Sequence, residues 1–175
     1  MEKSGIIKIA VIGAESTGKS ELCAALSKYY NTVWVPEYAR EYFNDSDIYN
    51  YTLEDLVIIA QKQIALENEL IKKAKRFLFC DTTLITLKIW AELEFKKTPD
   101  FICDKLHKIK YDHYFITDND MPWQQDELRQ NKFSRDMILG MNKNEVNDLN
   151  ASFSIISGVN EERAKNAIKI IDQLF

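Results

Sequence analysis

The chain has 175 residues, 46% of them hydrophobic and 29% charged, with 23 Lys and Arg against 27 Asp and Glu for a net charge of −4. That length and composition suit one globular domain with a substantial core and exclude a disordered chain. Mild acidity argues against grip on a nucleic-acid backbone, and no run reaches the ~18 apolar residues that span a bilayer, so neither nucleic acid nor membrane is expected as a partner.

The first thirteen residues, MEKSGIIKIAVIG, lack the long apolar segment and small-residue cleavage site of a signal peptide, and a cytoplasmic protein is expected. Within them IIKIAVI (6–12) predicts a buried strand. GAESTGKS (13–20) follows it and fits GxxxxGK[ST], with Gly13, Gly18, Lys19 and Ser20 in the fixed places, between a strand and a helix as the motif requires. Glycines at these points let main-chain N–H groups turn inward on phosphate oxygens, and the next helix adds its positive end. Lys19 is then expected on the β- and γ-phosphates and Ser20 on Mg²⁺, with ATP as the nucleotide.

A helix is predicted over 19–30 and a short strand at TVWV (32–35). PEYAREY (36–42) comes next, with Glu37 placed to bind or deprotonate a substrate hydroxyl and Arg40 to clamp a phosphate or pair with Glu37. Residues 52–75 carry helical periodicity with Thr52 and Asp55 at the N-cap. RFLFC (76–80) is the third strand. Asp81 follows it as an acid that holds Mg²⁺, takes the hydroxyl proton, or caps the next helix over 82–95. Pro99 opens a short helix over 99–109, and HYFIT (113–117) is the fourth strand.

The polar stretch 118–136 has no clean period and reads as a lid, about 119–136, that brings Arg129 or Arg135 onto the phosphates and uses Trp123 as an anchor or a stacking face. FSIIS (153–157) is the fifth strand, and 160–175 the last helix. Cys23, Cys80 and Cys103 are few and far apart. They read as small apolar residues, and with only His107 and His113 beside them they make no zinc site. Strands alternating with helices predict a doubly wound α/β sheet, with the ligands at the carboxyl ends of its strands.

GAESTGKS, VPEYARE, FCDTT, YDHYFITDNDMPWQQDELR and SIISGVNEER, in that order over nearly the whole chain, resemble the ribosylnicotinamide kinase domain of the NadR family. The resemblance implies a P-loop kinase: a three-layer α/β sandwich around five parallel strands, one domain over 1–175, with a lid. It implies transfer of the ATP γ-phosphate to the 5′-hydroxyl of a small-molecule nucleoside, nicotinamide riboside. By the same carry-over Gly13, Ala14, Glu15, Ser16, Thr17, Gly18, Lys19, Ser20 and Glu21 bind ATP with Arg135, and Ser157 and Gly158 line the adenine. Glu37, Tyr38, Arg40, Asp81, Trp123 and Asp126 serve the substrate. Lys19, Asp81, Glu37 and Arg129 are catalytic, and Ser20 and Asp81 hold Mg²⁺.

Two positions depart from the family pattern. Glu127 stands where the lid commonly has glycine, and Pro36 precedes Glu37 where a tryptophan can stand. The aromatic facing a pyridinium ring is then Trp34, Tyr38, Tyr42 or Trp90. The chain is expected to have neither the adenylyltransferase nor the helix-turn-helix that can precede such a kinase. Three rivals remain in view: a kinase for another acceptor, a nucleotide-sensing module without turnover, and a switch GTPase. NKNE (142–145) gives only a weak guanine-reading motif for the last, because it falls in a helical stretch and ends in Glu.

Overall fold

The computed structural model describes residues 5–44, 47–124 and 133–175. Five strands, β1 (Ile7–Ile12), β2 (Trp34–Val35), β3 (Phe77–Asp81), β4 (His113–Thr117) and β5 (Phe153–Ile156), form one sheet in the order β2-β3-β1-β4-β5. Every pair is parallel. The helices between them are α1 (Lys19–Tyr29), α2 (Tyr38–Asn44), α3 (Leu53–Leu70), α4 (Leu84–Phe95), α5 (Asp100–Leu106), α6 (Arg135–Asp148) and α7 (Glu161–Leu174).

Side-chain alternation along β1 explains the two layers of helices. Ile9 and Val11 point to one face, where they pack with Phe77, Phe79 and Phe115 under α1 and α7. Ala10 and Ile12 point to the other, where Tyr114 and Ile116 join a larger core under α2 to α6. A central strand buried on both faces needs apolar residues at successive positions, which is why IIKIAVI reads as a continuous run. The three-layer α/β sandwich with five parallel strands stands as expected.

Several boundaries differ from the sequence reading. The second strand pairs only through Trp34 and Val35. Thr32 is drawn off instead, its hydroxyl donating to the Phe77 carbonyl at 2.7 Å. The helix expected over 52–75 keeps its start, where Thr52 and Asp55 form a reciprocal capping box, but ends at Leu70. Residues 71–73 then form a turn that leads into β3. Two helices had no bounds in that reading. One is α2, which carries the PEYAREY side chains. The other is α6, which begins at Arg135 inside the stretch read as lid. NKNE lies in mid-α6, where Asn142 is buried and its amide donates to the Ile138 carbonyl, so it does not read a base.

Candidate active site

The turn from β1 to α1 is shaped by what glycine permits. Gly13 has φ 142°, and a methyl group there would overlap the Thr117 hydroxyl on β4. Gly18 has φ 73° and is the residue from which α1 springs. Between them the loop is stitched to itself and to β4. The Thr17 hydroxyl donates to the Ala14 carbonyl at 2.7 Å and lies 2.6 Å from the Thr117 hydroxyl. Lys19 Nζ donates to the Ala14 carbonyl at 2.7 Å, so the ammonium is folded over the loop where a phosphate would meet it. Glu15 lines the cavity above, and Glu21 is exposed on the first turn of α1.

Asp81 ends β3 directly opposite, paired in register with Val11. It is 1% exposed. Its Oδ2 accepts the Ser20 hydroxyl at 2.5 Å, while Oδ1 is buried without a hydrogen-bond partner. The helix-cap role falls elsewhere: Thr83 caps α4 by accepting from the Ile85 amide. Burial first, and then the Glu37 carboxylate, push the Asp81 carboxyl up to about 6, against the pull of Lys19, the Ser20 hydroxyl and Arg40. A hydroxyl beside a carboxylate with one spare oxygen is a donor pair that suits Mg²⁺. Among the described residues no cluster of His, Cys, Asp and Glu would hold a metal by itself, so a cation here would draw its other ligands from phosphate and water.

Glu37 sits just beyond β2, and its carboxylate accepts from Arg40 Nε at 3.2 Å. Sequence reasoning missed the residue that fixes this corner. Gln63, buried on α3, accepts from the Tyr38 amide at 2.8 Å and donates to the Pro36 carbonyl at 3.1 Å, clamping the backbone on both sides of Glu37. Its only signal was a polar residue on the apolar face of a helix.

One cavity of about 550 Å³ joins these parts. The loop, Ser20 and Asp81 lie on its wall, as do Glu37, Tyr38 and Arg40. So do Trp34 and the α4 residues Thr86, Ile89, Trp90, Leu93 and Glu94. Of the four aromatics considered for a pyridinium face, Trp34, Tyr38 and Trp90 line it. Tyr42 is instead engaged with Asp55, to which its hydroxyl donates.

The segment after β4 closes one side. The Gln124 amide donates to Ser16 Oγ at 2.7 Å. Arg135, first residue of α6, donates to the carbonyls of Ser16 (3.3 Å) and Met121 (2.8 Å). Met121, Pro122 and Gln124 line the cavity, while Trp123 between them is not part of its wall. Asp126, Glu127 and Arg129 lie outside the described residues.

Ser157 and Gly158 are not on this wall. They are pinned beside it: the Ser157 hydroxyl donates to Asp118 at 3.0 Å, and the Gly158 amide donates to Asp120. Arg163, 2% exposed, ties them down by donating to the Gly158 and Asp118 carbonyls and pairing with Asp120. It was not singled out from the sequence. It also lines a second cavity, about 740 Å³, which opens at Gly18 and Met121 and runs between α1 and α7.

A glycine-rich anion cradle on β1, an acid at the tip of β3 and a clamped Glu–Arg pair past β2 define a P-loop α/β protein with the fold of nucleoside and nucleotide kinases. The chain belongs to the family described as AAA domain, which matches residues 8–163. Over 126 residues, 69% of the chain, it is 26% identical to the trifunctional NAD biosynthesis/regulator protein NadR of Salmonella typhimurium, and it spans 30% of that protein.

Among solved structures it is similar to a NadR protein in complex with NR, with TM-score 0.76 and 19% identity over 95% of the chain and 49% of the other. The NadR structure with NAD and AMP-PNP bound has the same TM-score, 18% identity and the same coverage. Thymidylate kinase from Ehrlichia chaffeensis, at TM-score 0.60 and 14% identity, shares the fold over 98% of the chain and 100% of its own length. The resemblance to NadR proteins read from the motifs therefore stands.

Proposed function

We propose that the chain is an ATP-dependent kinase that phosphorylates the 5′-hydroxyl of nicotinamide riboside, giving nicotinamide mononucleotide. One observation carries the reading: the anion cradle and a carboxylate-rich, aromatic-walled pocket are two ends of a single cavity. Support comes from the likeness to NadR structures with NR and with AMP-PNP. Beyond Arg40, which Glu37 already holds, the described acceptor end presents carboxylates. That suits a nucleoside better than an acceptor already bearing phosphate.

In this reading the loop amides from Gly13 to Ser20 hold the triphosphate tail, and Lys19 exchanges the Ala14 carbonyl for phosphate oxygen. Ser20 and Asp81 are the residues that would hold Mg²⁺, which would supply charge neutralisation on the phosphates. Glu37, fixed by Gln63, orients the acceptor hydroxyl and takes its proton, and Asp81 stays ionised beside the metal. Arg129 and Arg135 are the proposed lid arginines, with Asp126 on the substrate side. The ATP ribose and base leave the loop over Gly18 toward Ser157, Gly158 and the second cavity. The protein acts as one kinase unit in the cytoplasm.

A nucleoside panel with Mg-ATP, read as ADP release, tests this: nicotinamide riboside should turn over fastest. Faster turnover of thymidine or deoxyadenosine would transfer the assignment to a different nucleoside kinase, a reading favoured by the fold shared with a deoxyadenosine kinase.

A further inference from the structure

A carboxylate inside a phosphate-binding loop calls for an explanation, because Glu15 would repel a triphosphate lying along that loop. Its side chain lines the cavity that also reaches α4, where Glu94 does the same. The two acids come from different elements, the β1–α1 loop and α4, and share the cavity with Trp90. Tyr51 and Trp90 pack edge to face with centroids 5.3 Å apart, and the Trp90 indole N–H donates to the Tyr51 hydroxyl. Burial raises the pKa of that hydroxyl, and the charges of Glu94 and Glu15 both add to the rise. Trp90 itself is on the cavity wall. Locked by Tyr51, it offers a fixed ring, and an aromatic ring in a cavity that carboxylates also line is an arrangement that attracts an organic cation.

We propose that Glu15 and Glu94 are the charge selectors of the acceptor site, drawing a positively charged aromatic ring against Trp90 and disfavouring neutral or anionic bases. This reassigns Glu15 from the ATP to the acceptor, and it rests on the kinase reading above. The cavity is then electrically divided along its length. Main-chain N–H groups and Lys19 take the anionic donor at one end, and carboxylates take the cationic acceptor at the other. Opposite charges within roughly 6 Å in a partly dehydrated site favour the cation by about tenfold or more.

The test compares nicotinamide riboside, a pyridinium cation, with its dihydro form, which is neutral and close in shape. The wild-type protein should favour the cation in kcat/KM. Both Glu15→Gln and Glu94→Gln should lower the ratio of kcat/KM, cation over neutral, by about tenfold. A ratio cancels any uniform loss from poorer folding, so a merely structural role would leave it unmoved. An unchanged ratio in both variants overturns the proposal. So does a wild-type protein that phosphorylates the two compounds equally well, and that result leaves the kinase reading standing. Phosphorylation of neither compound removes the kinase reading and the selector with it.

Discussion

At Asp81 burial and a neighbouring carboxylate both oppose ionisation, and the carboxyl is held up at about 6. The ordinary value is about 3.9, so between the two the folded state binds a proton that the unfolded state has lost. The stability tied to this group is therefore full at low pH and lost as pH rises from about 4 through about 6, by about 2–3 kcal/mol. Asp81→Asn should remove that slope and raise the melting temperature of the ligand-free protein at pH 8. The same change should cut kcat about 100-fold or more with little change in the KM for ATP, since a group that acts on the transferring phosphoryl is lost. Melting curves from pH 4 to 8 beside steady-state kinetics check both halves. Gly13→Ala should cost about 2–4 kcal/mol in denaturant unfolding, because φ 142° and the Thr117 hydroxyl each exclude a methyl group. Both residues were legible in the sequence, Asp81 as an acid ending an apolar run and Gly13 as the first fixed place of a motif. Gln63 and Arg163 were not: the partners of Gln63 lie 25 or more residues away along the chain, and Arg163, besides its nearby tie to Gly158, reaches Asp120 43 residues away, so only the fold brings these groups near.

Elements position the site through a few ties rather than through their own propensities. The clamp from α3 to the Pro36–Tyr38 backbone is one. Gln63→Leu should raise the KM for the acceptor several-fold, leave the KM for ATP unchanged, and cost about 1–3 kcal/mol from the two backbone groups left without partners. Equal rises in both KM values would assign Gln63 to general stability. At the head of α3, Thr52→Ala should cost about 1 kcal/mol by opening the capping box. That cap was readable because its two residues stand three apart. The end of α3 was not, since Lys72, Lys73 and Ala74 are good helix formers and the turn is imposed by the need to enter β3. Lys75 shows the constraint, its amide donating to the Thr32 hydroxyl at 2.9 Å. Of the two helices that the reading left without bounds, α2 is seven residues long and starts two residues after Pro36. The other, α6, buries only Asn142 and Val146. Neither gives a strong apolar period.

For the molecule as a whole, five apolar runs separated by helical segments were enough for the sheet and its two helical layers, because strands buried on both faces leave continuous apolar stretches. Strand order was another matter. That β3 lies between β1 and β2, and β4 on the far side of β1, is set by contacts between distant residues. This order is what places Ser20, Asp81 and Glu37 side by side on one edge of the sheet. The account stands on that edge being a single working cavity in which a triphosphate and a nucleoside meet. The most direct measurement gives the protein ATP labelled in the γ-phosphate, Mg²⁺ and nicotinamide riboside, and follows the label by chromatography. Label in nicotinamide mononucleotide, dependent on Lys19 and Asp81, is the result predicted. Label found only in ATP, or released as inorganic phosphate at the same rate with and without the nucleoside, would contradict it.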